Sequence, residues 1–109
     1  RTRFNVEYQK VGLWDGPGNP PGALAAAVLM LDAMLQRHRR VLVHCHAGIS
    51  RSPVVVATYL AHRRRIPFSL ALEEVQRCHS LASPHPLLCS LAGSLPNVFD
   101  AFPAEAVRP

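Results

Sequence analysis

Lysine is nearly missing from this chain: Lys10 stands alone among twelve Lys and Arg residues, and the remainder are arginine. Acidic side chains are also scarce, seven in all, which leaves a formal charge of +5. Such a balance favours anionic partners through a long-range field, but nucleic acid, phosphorylated protein and acidic membranes feel that field alike. Aromatics make up only 6% and are not interleaved with the cations as single-stranded nucleic-acid binding requires, so no nucleic-acid partner is expected. Cysteine is limited to Cys45, Cys78 and Cys89. Three is an odd and small number for a disulfide framework, and no pair has C-x-x-C spacing. His62, His79 and His85 do not fall at metal-ligand spacing either and read as surface or cap residues. No metal or other cofactor is therefore expected, and a reducing compartment is the simpler inference. The most apolar run, Leu24 to Leu31, stops at Asp32. It is too short to cross a bilayer and is not placed as a secretory leader. A soluble, cytoplasmic protein without membrane contact is expected.

What remains is the composition of a packed core: 49% hydrophobic and 17% charged residues in a chain of 109, the length of one domain. Phe4, Val6 and Tyr8 alternate with Asn5, Glu7 and Gln9, which predicts a half-buried strand continuing through Val11 and Leu13. The run from Asp15 to Gly22, DGPGNPPG, is a sharp loop. From Ala23 to about Arg37 the residues are strong helix formers without Gly or Pro, which predicts one long helix. Val41-Leu42-Val43 reads as a short buried strand. Ser52-Pro53 opens the next predicted helix, with Ser52 as N-cap and Pro53 at the first helical position, running to about His62. Ser69 caps a predicted helix from about Leu70 to His79, and a last one runs from Pro86 to Gly93 or Pro96. The basic clusters Arg37 to Arg40 and Arg63 to Arg65 fall at helix C-termini, where cations complement the macrodipole. The fold class expected is α/β, with a short, largely parallel central sheet flanked by helices. Two strands are few for four helices. Residues 1–109 are accordingly read as a single domain lacking part of its N-terminal side.

The segment Val43-His44-Cys45-His46-Ala47-Gly48-Ile49-Ser50-Arg51-Ser52-Pro53 carries the chemistry. A strand that turns abruptly into a helix aims several backbone N–H groups into one concavity, with the positive end of the helix dipole behind them. His46 to Ser50 would supply those amides, making an anion cradle. Cys45 stands at its rim, where the dipoles and a nearby guanidinium favour thiolate over thiol. Arg51 closes the loop with a planar fork that holds two phosphate oxygens at once. Gly48 lets the backbone approach a ligand closely. Ser52 is placed to donate its hydroxyl to the sulfur and ease its departure, and His44 to orient the loop.

The string His44-Cys45-x5-Arg51-Ser52 resembles the signature of the protein tyrosine phosphatase superfamily. The fuller His44-Cys45-x-Ala47-Gly48-x-Ser50-Arg51-Ser52 is similar to its dual-specificity branch. The likeness extends through Tyr59-Leu60, the segment from Ser69 to Val75, and Ser83-Pro84-His85-Pro86. In that family a general acid lies on a loop about thirty residues before the nucleophile. The resemblance carries this role to Asp15, within Trp14-Asp15-Gly16-Pro17-Gly18-Asn19, with Asn19 helping to order the loop. The loop lacks the lysines of many phosphoinositide phosphatases, and it has Ser50 where glucan phosphatases tend to have Gly. Both departures turn the expectation toward phosphorylated proteins.

The resemblance implies metal-independent phosphoryl transfer through a phosphocysteine, with Cys45 as nucleophile, Arg51 as clamp and Asp15 as acid and then base. Two rivals stand beside it. One is a phosphate-binding module that keeps the cradle without turnover, although such relatives usually lose the cysteine, arginine or acid. The other is a rhodanese-type sulfurtransferase, whose loop commonly carries arginine right after the cysteine, where this chain has His46.

Overall fold

A computed structural model describes residues 19–43, 51–78, 82 and 84–101. Within them are five helices: α1 (Pro21–Arg37), α2 (Arg51–Arg64), α3 (Phe68–Cys78), α4 (Pro86–Ser94) and α5 (Val98–Ala101). Of the described residues 76% are helical and none is in a strand, so the expectation of a parallel central sheet is overturned. At Val41-Leu42-Val43, where a buried strand was expected, Val41 and Val43 lean on the core while Leu42 is 85% exposed. A short aliphatic run carries the local propensity of a strand, but a strand exists only by pairing its backbone, and this run has no ladder among the described residues. The other strand expected, Phe4 to Leu13, lies outside the described residues.

α1 starts with Pro21 at its first position, behind Pro20 in extended conformation. Proline suits that place because the first N–H groups of a helix have no intrahelical acceptor. Leu24, Ala27, Val28 and Leu31 fall on one face at helical spacing and are buried. α2 is enclosed on more than one side, with Val54, Val55, Ala57, Thr58, Ala61 and His62 all buried. It is packed against each of the other four helices. Thr58 fits there because its Oγ1 donates to the Val54 carbonyl at 2.6 Å, so no hydroxyl is left unsatisfied. One core joins Leu24, Val28, Val54, Leu88, Ala92 and Val98, and a second joins Ala57, Ala61 and Ala71 between α2 and α3.

The start of α2 differs from the expectation. Ser52 lies inside its first turn rather than capping it, and Pro53 is the third helical residue rather than the first, a place proline tolerates because its missing N–H would be unbonded there. Ser69 is likewise inside α3, whose first turn is closed by Leu70 and Ala71 N–H groups donating to the Pro67 carbonyl. α4 begins as expected at Pro86, and His85 caps it, its Nδ1 accepting from Leu87 N at 3.1 Å.

The C-terminus of α2 is tied to several of its neighbours among the described residues. Ile66 N–H donates to the Ala61 carbonyl at 3.0 Å, wrapping the helix end around Arg65, whose φ is 56°. This is the left-handed helix stop that glycine usually supplies. Three successive arginines then reach three different helices. Arg63 pairs with Asp32 of α1, Arg64 with Glu74 of α3 at 2.6 Å, and Arg65 grips both oxygens of Asp100 of α5 at 2.9 and 2.6 Å. Arg65 holds the Asp100 carboxyl below the usual carboxylate range. Arg63 also lies 3.7 Å over the Phe99 ring, which Tyr59 meets edge-on at 6.2 Å. The macrodipole reading of this cluster is thus incomplete, since its side chains form cross-helix contacts as well.

α5 is too short to stand alone. Asn97 caps it, its Oδ1 accepting from Phe99 N at 2.9 Å while its Nδ2 donates to the His62 carbonyl at 2.8 Å. Asn97→Ala is expected to cost about 1–2 kcal/mol, the sum of a lost cap and a lost part-buried bond. A thermal melt should show it as a Tm lower by roughly 5–10 °C. A change within a degree would mean that α5 is held by Val98 and Arg65 alone.

Candidate active site

Two of the expected site residues open α2. Arg51 is half-buried with its Nε withdrawn from solvent, and Ser52 is only 7% exposed. Pro53, Val54 and Val55 follow them into the interior, so this end of α2 is fixed by the core and not left to a loop. The first N–H groups of a 14-residue helix start here, which brings backbone donors and the positive end of the dipole to the same place as the guanidinium. Eight positions before Arg51, Val43 packs on the core. Asn19 is half-buried immediately ahead of the Pro20 cap of α1, at the end of the loop in which Asp15 was read.

Asp15, His44, Cys45, His46, Ala47, Gly48, Ile49 and Ser50 lie outside the described residues. The structure therefore describes Arg51, Ser52 and Asn19 at two helix starts, and the cradle expectation itself stays with the sequence. The remaining cysteines differ in setting. Cys78 is an exposed free thiol at the end of α3, and Cys89 is a half-buried free thiol in α4 whose pKa burial pushes up. Desolvation of that kind favours the thiol and makes a poor nucleophile. Among the described residues no three His, Cys, Asp or Glu side chains gather in a way that could hold a metal ion. No helix among them is long and apolar enough to cross a membrane. His62 is not a surface residue: it is 9% exposed, and its Nδ1 accepts from Val98 N at 3.1 Å. The sequence offered no signal for that role, since the partners are 36 positions apart.

The sequence profile described as "Dual specificity phosphatase, catalytic domain" matches residues 18–91, well over half of the chain. The chain belongs to that family. The match takes in the dual-specificity phosphatase signature from His44 to Ser52 and begins three positions after Asp15, so the acid rests on the loop's likeness alone. Among similar proteins, human dual specificity protein phosphatase 4 is 41% identical over 59 residues, which is 54% of this chain and 15% of that protein. Human dual specificity protein phosphatases 5 and 1 are 34% and 37% identical over stretches of the same length, 15% and 16% of those proteins. The matched stretch thus spans about a sixth of each of these longer relatives. No solved structure matches the chain significantly.

Proposed function

We propose that the chain is a metal-independent cysteine phosphatase that hydrolyses phosphate monoesters, with phosphotyrosine and phosphoserine or phosphothreonine of proteins as substrates. The observation that carries this reading is the family match over the whole segment from His44 to Ser52, whose last two residues open the buried helix α2. The breadth of substrate is supported by the relatives' name, dual specificity protein phosphatase. A cytoplasmic setting is supported by the small cysteine count and by a nucleophile that must stay reduced.

In the first step Cys45 thiolate attacks phosphorus in line, an S–P bond forms, the P–O ester bond breaks, and Asp15 gives its proton to the leaving oxygen. Arg51 and the amides of His46 to Ser50 hold the equatorial oxygens, where charge is greatest. In the second step Asp15, now carboxylate, takes a proton from the attacking water. The S–P bond breaks and inorganic phosphate leaves, while the Ser52 hydroxyl stabilises the returning thiolate. His44 and Asn19 position the two loops. The 109 residues belong to one catalytic domain.

A thiolate and a protonated carboxyl must coexist in the first step, so the rate is expected to peak below neutrality in a bell-shaped profile belonging to the pair. Hydrolysis of p-nitrophenyl phosphate in EDTA from about pH 4.5 to 8 tests this. Cys45→Ser should abolish turnover, and Asp15→Ala should remove one limb of the bell. A flat wild-type profile would refute the role of Asp15. Vanadate binding without turnover would leave a phosphate-binding module, and thiocyanate formation from thiosulfate and cyanide would indicate a sulfurtransferase.

A further inference from the structure

One buried polar side chain of the described fold lies away from the proposed site and can titrate near neutrality. His62, near the end of α2, is 9% exposed, and it accepts two hydrogen bonds from the start of α5 and its cap. Its Nδ1 accepts from Val98 N at 3.1 Å in a buried contact, and its carbonyl accepts from Asn97 Nδ2 at 2.8 Å. An Nδ1 that accepts must be bare, so the ring carries its hydrogen on Nε2. Val98, the residue held by that bond, is 1% exposed and belongs to the main core.

We propose that His62 is an acid-sensitive latch, whose protonation at Nδ1 breaks the bond to Val98 N and releases α5 from α2. A proton on Nδ1 would face the Val98 N–H directly, replacing an acceptor with a second donor in a place closed to water. Three carboxylates of the packed helices are engaged elsewhere, and a fourth, Glu73 of α3, is exposed. Asp32 of α1 holds Arg63, Glu74 of α3 holds Arg64, and Asp100 of α5 holds Arg65. α4 contributes Cys89, a thiol that burial keeps neutral. Burial holds the His62 pKa below its ordinary value. The open state, with its imidazole in water, therefore takes up a proton first as pH falls. Closure is complete above the ordinary histidine value of about 6.5 and is progressively lost below it.

The segment from Asn97 to Asp100 is the part set free. Phe99 would leave Tyr59 and Arg63, and Asp100 would leave Arg65. About one pH unit below the histidine value, the open fraction should rise roughly tenfold.

Amide hydrogen exchange on the 109-residue chain, corrected for the intrinsic rate, is the test. Between about pH 7.5 and 5.5, the amides of Val98 to Asp100 should exchange roughly tenfold faster relative to those of Val54 and Ala57. In His62→Gln, which keeps an acceptor but does not titrate, that acceleration should vanish. Equal acceleration in both proteins, or none in the wild type, would overturn the latch. Should the variant fail to fold, the wild type alone decides by NMR. The His62 ring and the Val98 amide should titrate with one midpoint below 6.5, and separate midpoints would overturn the proposal. Neither result bears on phosphatase activity, which rests on residues at the other end of α2.

Discussion

Arg51→Lys should lower kcat for p-nitrophenyl phosphate by about two to three orders of magnitude, the range seen when one preorganised donor to a developing oxyanion is lost. The charge is kept in this exchange, and the geometry is not. A guanidinium presents a planar pair of donors to two oxygens of one phosphoryl group, whereas an ammonium is a single hydrated point charge on a flexible stem. Arg51 is also half-buried at the start of a helix fixed by Val54 and Val55, so a lysine there cannot recover the lost fork by moving the backbone. Steady-state kinetics together with vanadate affinity check the point. Both kcat and vanadate binding should fall, because the clamp holds the ground-state dianion as well as the transition state. The control is Arg64→Lys at the opposite end of α2, where the exposed pair with Glu74 should tolerate the exchange with activity unchanged. If Arg51→Lys keeps more than half of the wild-type rate, Arg51 is not the clamp.

The largest effect on stability is expected at Leu88, and its neighbour supplies the contrast. Leu88 is fully buried in the core with Leu24, Val54 and Val98, while Leu87 is 50% exposed. Leu88→Ala should cost about 2–5 kcal/mol, from the lost transfer free energy and the cavity left among Leu24, Val54 and Val98. Leu87→Ala should stay within about 0.5 kcal/mol of the wild type. A domain of this size is stable by only about 5–15 kcal/mol, so the first substitution could leave a visible unfolded fraction at physiological temperature. Urea denaturation with a common m-value measures both. Equal losses at the two positions would mean that α4 is not seated through Leu88.

Much of this was legible because its signals are local. α1 and α4 could be read from runs of helix formers bounded by Pro20-Pro21 and Pro96, and their observed ends fall within a few residues of the expectation. Ser52 and Ser69 misled as caps because their residue types favour that place, while the helices begin one or more positions earlier. Val41 to Val43 misled for a different reason. Strand propensity is local, but the pairing that makes a strand is not, and the exposure of Leu42 contradicts burial on both faces. α5 was missed because four residues carry no period. It is held by Asn97, His62, Arg65 and Asp100, partners some 35 positions apart, and no pattern in a single sequence joins such residues. The signature from His44 to Ser52 was readable for the opposite reason, being one contiguous stretch of sequence. Asn19, Arg51 and Ser52 fall at helix starts, and the remaining residues of that expectation lie outside the described part.

The three arginines that end α2 also make the helix intolerant of a change in chain length. Each residue turns a helix by about 100°. Arg63 and Arg64 therefore point in different directions, Arg65 follows in the left-handed turn beyond the helix, and each finds an acid on a different helix. Substituting one of them removes one contact. Inserting or deleting a single residue between Ala61 and Arg63 would swing all three guanidinium groups off their partners at once while leaving composition and net charge almost untouched. What the protein specifies at this point is thus phase rather than charge, and sequence drift there should proceed by exchange of side chains and not by gain or loss of residues.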